Sequence, residues 1–496
     1  MSLGGARPPV RAPWAAALAL VAVIAVAVAF RAWAFGGVSF ALGSDESRYV
    51  AVAQNLASGH MPHGAAEWFG TRLVLIWPVA GLFRWIGASD YTASAWPAVG
   101  SLLSVGAAYL LGRDLGSRRV GLVAAGLVAV APLEVLLGTR LRPDAIMPGL
   151  VGLSVWLALR AGRAVDERTC VLLAAAAGLL LGGAWSVRES ALVMAPVVAG
   201  AGWHAGRRAL AWGAAGLVAV PALAAILFGA LAGDPLRPLT GAGAEGTWRN
   251  PVAAWSTDGS YAAAIVRQAL DPGALLFLLG PVLVIAGAVL VARRERAAIL
   301  PAAWLAWAAL YLELGTLVNL GKPLRFLTLC TIPAALLVAL AVDGRLAPLA
   351  VAGVAAIAVA ALWSLPLRDH RGNDVVLLHR VADRLSTLPH RPVLSESYTW
   401  WAKLAAFVPR GRLPVADVKD PEFLDESERR AARRLEPLPD VAAYAGGYVV
   451  TGPVIPLQGW PSNWATLEER MRRDVPWRRL RLVATVGAAR IWRWPA

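Results

Sequence analysis

Asp45 and Glu46 stand side by side in Gly43-Ser44-Asp45-Glu46-Ser47-Arg48-Tyr49, directly after an apolar stretch. Paired carboxylates at a membrane surface are costly to desolvate, and they suit two tasks, accepting a proton or holding a cation. A structural role accounts for them equally well: Ser44 or Asp45 caps a helix running through Asn55, with acid in its first turn. Asp144 ends the segment Gly138-Thr139-Arg140-Leu141-Arg142-Pro143-Asp144, and there too an N-cap is a sufficient explanation. Company sets these carboxylates apart. Arg48, Arg72, Arg140, Arg142, Arg188, Lys322 and Arg325 fall on the same predicted face, and guanidinium forks suit bidentate phosphate binding. Carboxylates beside phosphate binders point to group transfer from a phosphorylated donor.

The elements that must position these residues are membrane helices. Hydrophobic residues make up 58% of the 496 and charged residues 16%, against about 45 to 50% and about 25% in soluble domains. That excludes a water-soluble globule, and equally a disordered, collagenous or disulfide-stapled chain. Apolar runs long enough to cross a bilayer lie at 13–35, 71–87, 91–112, 120–137, 145–160, 171–187, 190–204, 209–231, 273–292, 297–317, 325–342 and 346–365. The first resembles a signal peptide but is too long, lacks a small-residue cleavage site and is expected to stay as an anchor. Cys170 and Cys330 stand alone in or beside apolar runs and read as packing residues.

The net charge of +15 is carried mostly by arginine, and in a chain this apolar the membrane accounts for it before nucleic acid does. Arginine in short loops stays cytoplasmic. The basic clusters at Arg113, Arg118 and Arg119, at Arg160, Arg163 and Arg168, at Arg207 and Arg208, at Arg293, Arg294 and Arg296, and at Arg345 share one side with Arg7 and Arg11 only if one candidate does not cross. The 71–87 segment is the weakest, because it carries Arg72, Arg84, Pro78 and the interface-loving Trp77 and Trp85. Laid on the outer surface, it leaves about eleven transmembrane helices and puts 36–90, 138–144, 188–189, 232–272, 318–324 and 366–496 outside.

From 367 onward the composition turns charged and Pro-rich. Strands are expected at 392–397, 413–418 and 448–452, with two more joined near Gly487 within 479–494, and a solvated helix at 429–435. The expected architecture is a mostly α polytopic membrane protein, with a transmembrane catalytic domain over 1–366 and a small extracytoplasmic α/β domain over 367–496.

The order of these motifs resembles the GT-C glycosyltransferases, nearest the branch of protein O-mannosyltransferases and lipid A aminoarabinose transferases. It rests on the Asp45-Glu46 pair with Ser47-Arg48-Tyr49, on Arg140-Leu141-Arg142-Pro143-Asp144, and on the span closing on Trp185-Ser186-Val187-Arg188-Glu189-Ser190. It covers roughly residues 10 to 340 and is most specific in the first 190. The resemblance implies a helical bundle with juxtamembrane helices on its outer face and a sugar donor carried on a polyprenyl phosphate. It further implies an acceptor that is a glycan, a lipid or a protein, and transfer at the outer face of the cell membrane. Asp45 would be the catalytic carboxylate, Glu46 its supporting neighbour and Asp144 the second acid of the site. Arg48, Tyr49, Arg72, Arg142 and Arg188 would bind substrate, and Lys322 and Arg325 would meet the lipid phosphate. The family often has Glu-Lys-Pro at the start of its surface helix where this chain has Gly70-Thr71-Arg72, and in some members that glutamate holds a divalent metal. Arg72 replaces the lysine, the glutamate is missing, and the use of a divalent metal stays open.

Other patterns carry less. Gly241 to Gly246 fits G-x-G-x-x-G, but in an outer loop and not in a strand-to-helix turn. His60 and His63 near Glu67 read as solvated loop residues, with a metal as the alternative. Trp400, Trp401, Trp460 and Trp464 suit packing or the membrane interface, and alternatively the stacking of sugar rings. Arg429, Arg430, Arg433 and Arg434 form a solvated face, not a nucleic-acid site. The rival to the transferase is a secondary transporter or lipid flippase for an anionic substrate, which the scarcity of ionisable residues at mid-membrane disfavours.

Overall fold

The computed structural model describes residues 13–37, 44–61, 70–239, 281–317, 324–343, 352–353, 356, 359, 374–389, 391, 393–395, 445–451 and 475–495. The first part is helical. Its elements are α1 (Pro13–Gly37), α2 (Ser44–Ala57), α3 (Leu73–Ile86), α4 (Asp90–Leu115), α5 (Arg118–Val130), α6 (Pro132–Leu137), α7 (Pro143–Ala161), α8 (Glu167–Val187), α9 (Ala195–Ala201), α10 (Gly206–Ala232), α11 (Pro281–Arg293), α12 (Ile299–Leu317) and α13 (Thr328–Ala341). Among the described residues six helices are long and apolar enough to cross a membrane. The chain is a multi-pass membrane protein. The span expected at 346–365 lies almost wholly outside the described residues.

Helix ends follow local chemistry. Ser89 and Thr92 form a reciprocal capping box before α4, and the Asp166 carboxylate accepts from the Thr169 amide, 2.8 Å away, at the start of α8. The run expected as one span at 120–137 is broken, because Pro132 has no N–H to donate and forces Ala131 out of helical geometry. Two other expected spans open with a 3-10 turn, at Glu189–Met194 and at Leu324–Leu327. Helix α3 has 14 residues, so it is about 21 Å long, short of a hydrocarbon core of about 30 Å. Its buried residues Leu75, Ile76, Val79, Ala80 and Phe83 repeat at helical spacing. It packs on α2, α4 and α8.

Helix α7 occupies the middle of the bundle, between α4 and α8. A side chain on Gly149 would place its Cβ 2.7 Å from the backbone oxygen of Gly100, so α4 and α7 meet backbone to backbone there. Small residues permit such approaches where lipid offers no hydrophobic drive between helices. Leu111, Ile146, Met147, Trp304 and Leu312 fill the surrounding core.

The two ends of the bundle differ chemically. At one, Asp114 accepts from Arg113 and from the Trp156 indole, with Arg160 3.7 Å away. Arg163 bonds the Asp114 backbone oxygen, Arg208 pairs with Glu167, and Arg293 donates to the Ala341 backbone oxygen. The other end holds Asp144.

Near the C-terminus, β1 (Val393–Ser395), β2 (Tyr448–Thr451), β3 (Arg481–Val486) and β4 (Ala489–Arg493) form one sheet in the order β1-β2-β4-β3. Strands β1 and β2 are parallel and the other pairings antiparallel. The β3–β4 turn passes through Gly487 at φ 58°, a left-handed conformation that glycine adopts without strain. A helix not anticipated from the sequence, α14 (Asp374–Ser386), lays Val381, Ala382 and Leu385 against Val393, Tyr448, Val450 and Ile491. The strand expected at 413–418 and the helix expected at 429–435 lie outside the described residues.

Candidate active site

Asp144 is the centre of the second end. Pro143 starts α7 and Arg142 occupies the N-cap position without a side-chain cap bond, so Asp144 lies in the first turn and is not its cap. The structural role expected for it does not hold. Its carboxylate is fully buried and faces two guanidinium groups. Arg188 donates to one oxygen at 2.5 Å. The Nε of Arg325 lies 3.3 Å from the other, an ion pair outside hydrogen-bond geometry. Arg142 and Arg72 stand within electrostatic range of the same carboxylate. These arginines come from four places in the chain: the loop before α3, the loop before α7, the residue after α8, and the 3-10 turn before α13.

Around this pair the neighbours are specific. The Arg188 guanidinium stacks over the Phe326 ring, 3.9 Å from its centroid, as expected for a cation on an aromatic face. Arg72 is buried at the foot of α3; it donates to the Tyr49 hydroxyl and lies 3.4 Å from a Glu189 carboxylate oxygen. Tyr49 is buried on α2, among Val50, Val52 and Ala53. Helix α2 begins at Ser44, so the backbone of Asp45 and Glu46 belongs to its first turn.

Of the residues singled out in the sequence, Tyr49, Arg72, Arg142, Asp144, Arg188 and Arg325 are brought together. The side chains of Asp45, Glu46 and Arg48 lie outside the described residues, as do Lys322 and Glu67. Glu189 and Phe326 joined the cluster without having been chosen. Each stands next to a selected arginine, but nothing in local spacing announces a contact between residues 72 and 189. No group of three His, Cys, Asp or Glu side chains comes together among the described residues.

Residues 72–229 match the family described as dolichyl-phosphate-mannose-protein mannosyltransferase. No curated protein matches the chain by sequence. Among solved structures, ArnT from Cupriavidus metallidurans in the apo state is 14% identical, with a TM-score of 0.65 over 96% of this chain and 98% of that one. The same protein bound to undecaprenyl phosphate is 15% identical, with a TM-score of 0.65 over 95% and 97%. The described part of the chain is mostly helical with a small C-terminal sheet, and the chain has an ArnT-like GT-C fold.

Proposed function

We propose that the protein is a membrane glycosyltransferase that moves a sugar from a polyprenyl-phosphate carrier to an acceptor hydroxyl at the outer face of the cell membrane. The observation that carries this is the cluster at Asp144. Arg72, Arg142, Arg188 and Arg325 bring four positive charges to Asp144 and Glu189, which bring two negative ones, and the surplus suits one phosphate. The structural neighbour ArnT, seen with undecaprenyl phosphate, supports a lipid phosphate as the anion.

In this mechanism Asp45 takes the proton of the acceptor hydroxyl as its oxygen attacks the anomeric carbon. The bond from that carbon to the phosphate oxygen breaks, and the electron pair leaves with the lipid phosphate. The guanidinium groups of Arg72, Arg188 and Arg325 stabilise the departing charge, with Arg142 nearby. A single displacement inverts the sugar configuration. Asp144 acts as the anion that gathers Arg188 and Arg325, since both of its oxygens already face guanidinium groups, and the proton falls to Asp45. The domain at 367–496 lies on the same outer side and borders the acceptor.

The test is turnover of polyprenyl-phosphate sugars by the purified protein, read as release of polyprenyl phosphate. Asp45→Asn is expected to lower the rate about 10²- to 10⁴-fold. A donor left intact by the wild type would speak for a transporter or a scaffold. Retained configuration at the transferred sugar would refute the single displacement.

A further inference from the structure

The segment after α8 performs two tasks with two adjacent residues. Helix α8 ends at Val187, and Arg188 is extended (φ −159°, ψ 130°) before the 3-10 turn begins at Glu189. Neighbouring side chains of an extended backbone diverge. Accordingly Arg188 reaches Asp144 and Phe326, while Glu189 reaches Arg72. Two residues earlier, the Ser186 hydroxyl accepts from the Val74 amide at 3.3 Å, satisfying an otherwise unpaired N–H in the first turn of α3. The Trp96 indole donates to the Val74 backbone oxygen at 2.7 Å, so the foot of α3 is held from both sides.

Arg72, Arg142, Arg188 and Arg325 all act electrostatically on Asp144, so Arg72 shares its surroundings with guanidinium groups of like charge. Arg188 and Arg325 share Asp144 as their counter-ion, whereas among the described residues Arg72 pairs with Glu189 and also donates to the neutral Tyr49 hydroxyl. With that carboxylate removed, repulsion from the other guanidinium groups would favour rotamers that carry Arg72 away from the cluster. Resting on the lipid-phosphate reading above, we infer that Glu189 is the positioning residue for Arg72, holding its guanidinium, against the repulsion of its neighbours, where the donor phosphate binds.

The experiment measures undecaprenyl phosphate binding to the purified full-length chain, in the wild type, Glu189→Gln, Arg72→Ala and the double variant. Glu189→Gln should weaken binding about tenfold, within the range of coupling between contacting residues. In the Arg72→Ala background the same change should weaken it less than about twofold, because the group it acts through is gone. Glu189→Asp, which keeps the charge on a shorter stem, should fall between wild type and Glu189→Gln, and it serves as the test if the glutamine variant does not fold. A general structural role for Glu189 would weaken binding equally in both backgrounds and would overturn the inference. So would a Glu189→Gln variant that binds like the wild type. Failure of the wild type itself to bind undecaprenyl phosphate would remove the lipid-phosphate reading, and the inference with it.

Discussion

A carboxylate with no exposure to solvent is tolerated only when other charges answer it, and Asp144 is answered twice. Its replacement by asparagine removes the anion and leaves Arg188 and Arg325 facing each other. Breaking a buried pair in this way costs about 3 to 5 kcal/mol, so Asp144→Asn should lower the thermal transition of the purified protein as well as its affinity for lipid phosphate. A variant with wild-type stability would show that the pair contributes little. Arg188→Lys separates charge from shape. Lysine keeps the positive charge but loses the planar fork and its stacking on Phe326. The stack accounts for about 0.5 to 2 kcal/mol, which predicts a loss of roughly twofold to thirtyfold in undecaprenyl phosphate binding. Undiminished binding by the lysine variant would show that point charge is enough. The residue types of this site were legible in the sequence, because arginines beside an aspartate after a proline form a local pattern. The pairing of Arg72 with Glu189 spans 117 positions and was not.

At the scale of elements, what aims these side chains is close packing near their helix ends. Asp144 is carried by the first turn of α7, and α7 is held against α4 where Gly149 meets the backbone of Gly100. Any side chain at Gly149 must push the two helices apart. Gly149→Val is therefore expected to cost about 1 to 3 kcal/mol by overpacking and to reduce phosphate binding as well, since the shift displaces Asp144 from Arg188. A thermal transition equal to wild type would show that the crossing relaxes freely. Six span positions were readable from apolar run length, and the 14-residue α3 falls in the segment expected not to cross. The break at Pro132 and the two 3-10 openings were missed, because run length measures hydropathy and not backbone geometry. Helix α14 was missed for the opposite reason: it lies in a charged stretch, and its apolar residues Val381, Ala382 and Leu385 find their partners on a distant sheet.

Across the whole molecule, the charged contacts of the helical bundle sort to its two ends. Charge parity assigned Asp114, Arg160, Arg163, Glu167, Arg208 and Arg293 to the cytoplasm, and in the structure the contacts of these residues stay at one end. Parity assigned Tyr49, Arg72, Asp144, Arg188, Glu189 and Arg325 to the outside, and these meet one another at the other end. No ion pair among the described residues joins the two sets. That separation is what a membrane between them requires, and the arginine bias supplies the direction. The prediction is accessible to thiol labelling, because Cys170 and Cys330 are buried and give little background. Ala88→Cys, in the exposed loop between α3 and α4, should react with a membrane-impermeant maleimide on intact cells. Val165→Cys, in the exposed loop between α7 and α8, should react only after the membrane is opened. The reverse pattern would place the arginine cluster in the cytoplasm, where a nucleotide-linked donor is available, and the case for a lipid-borne sugar would lose its chemical motive.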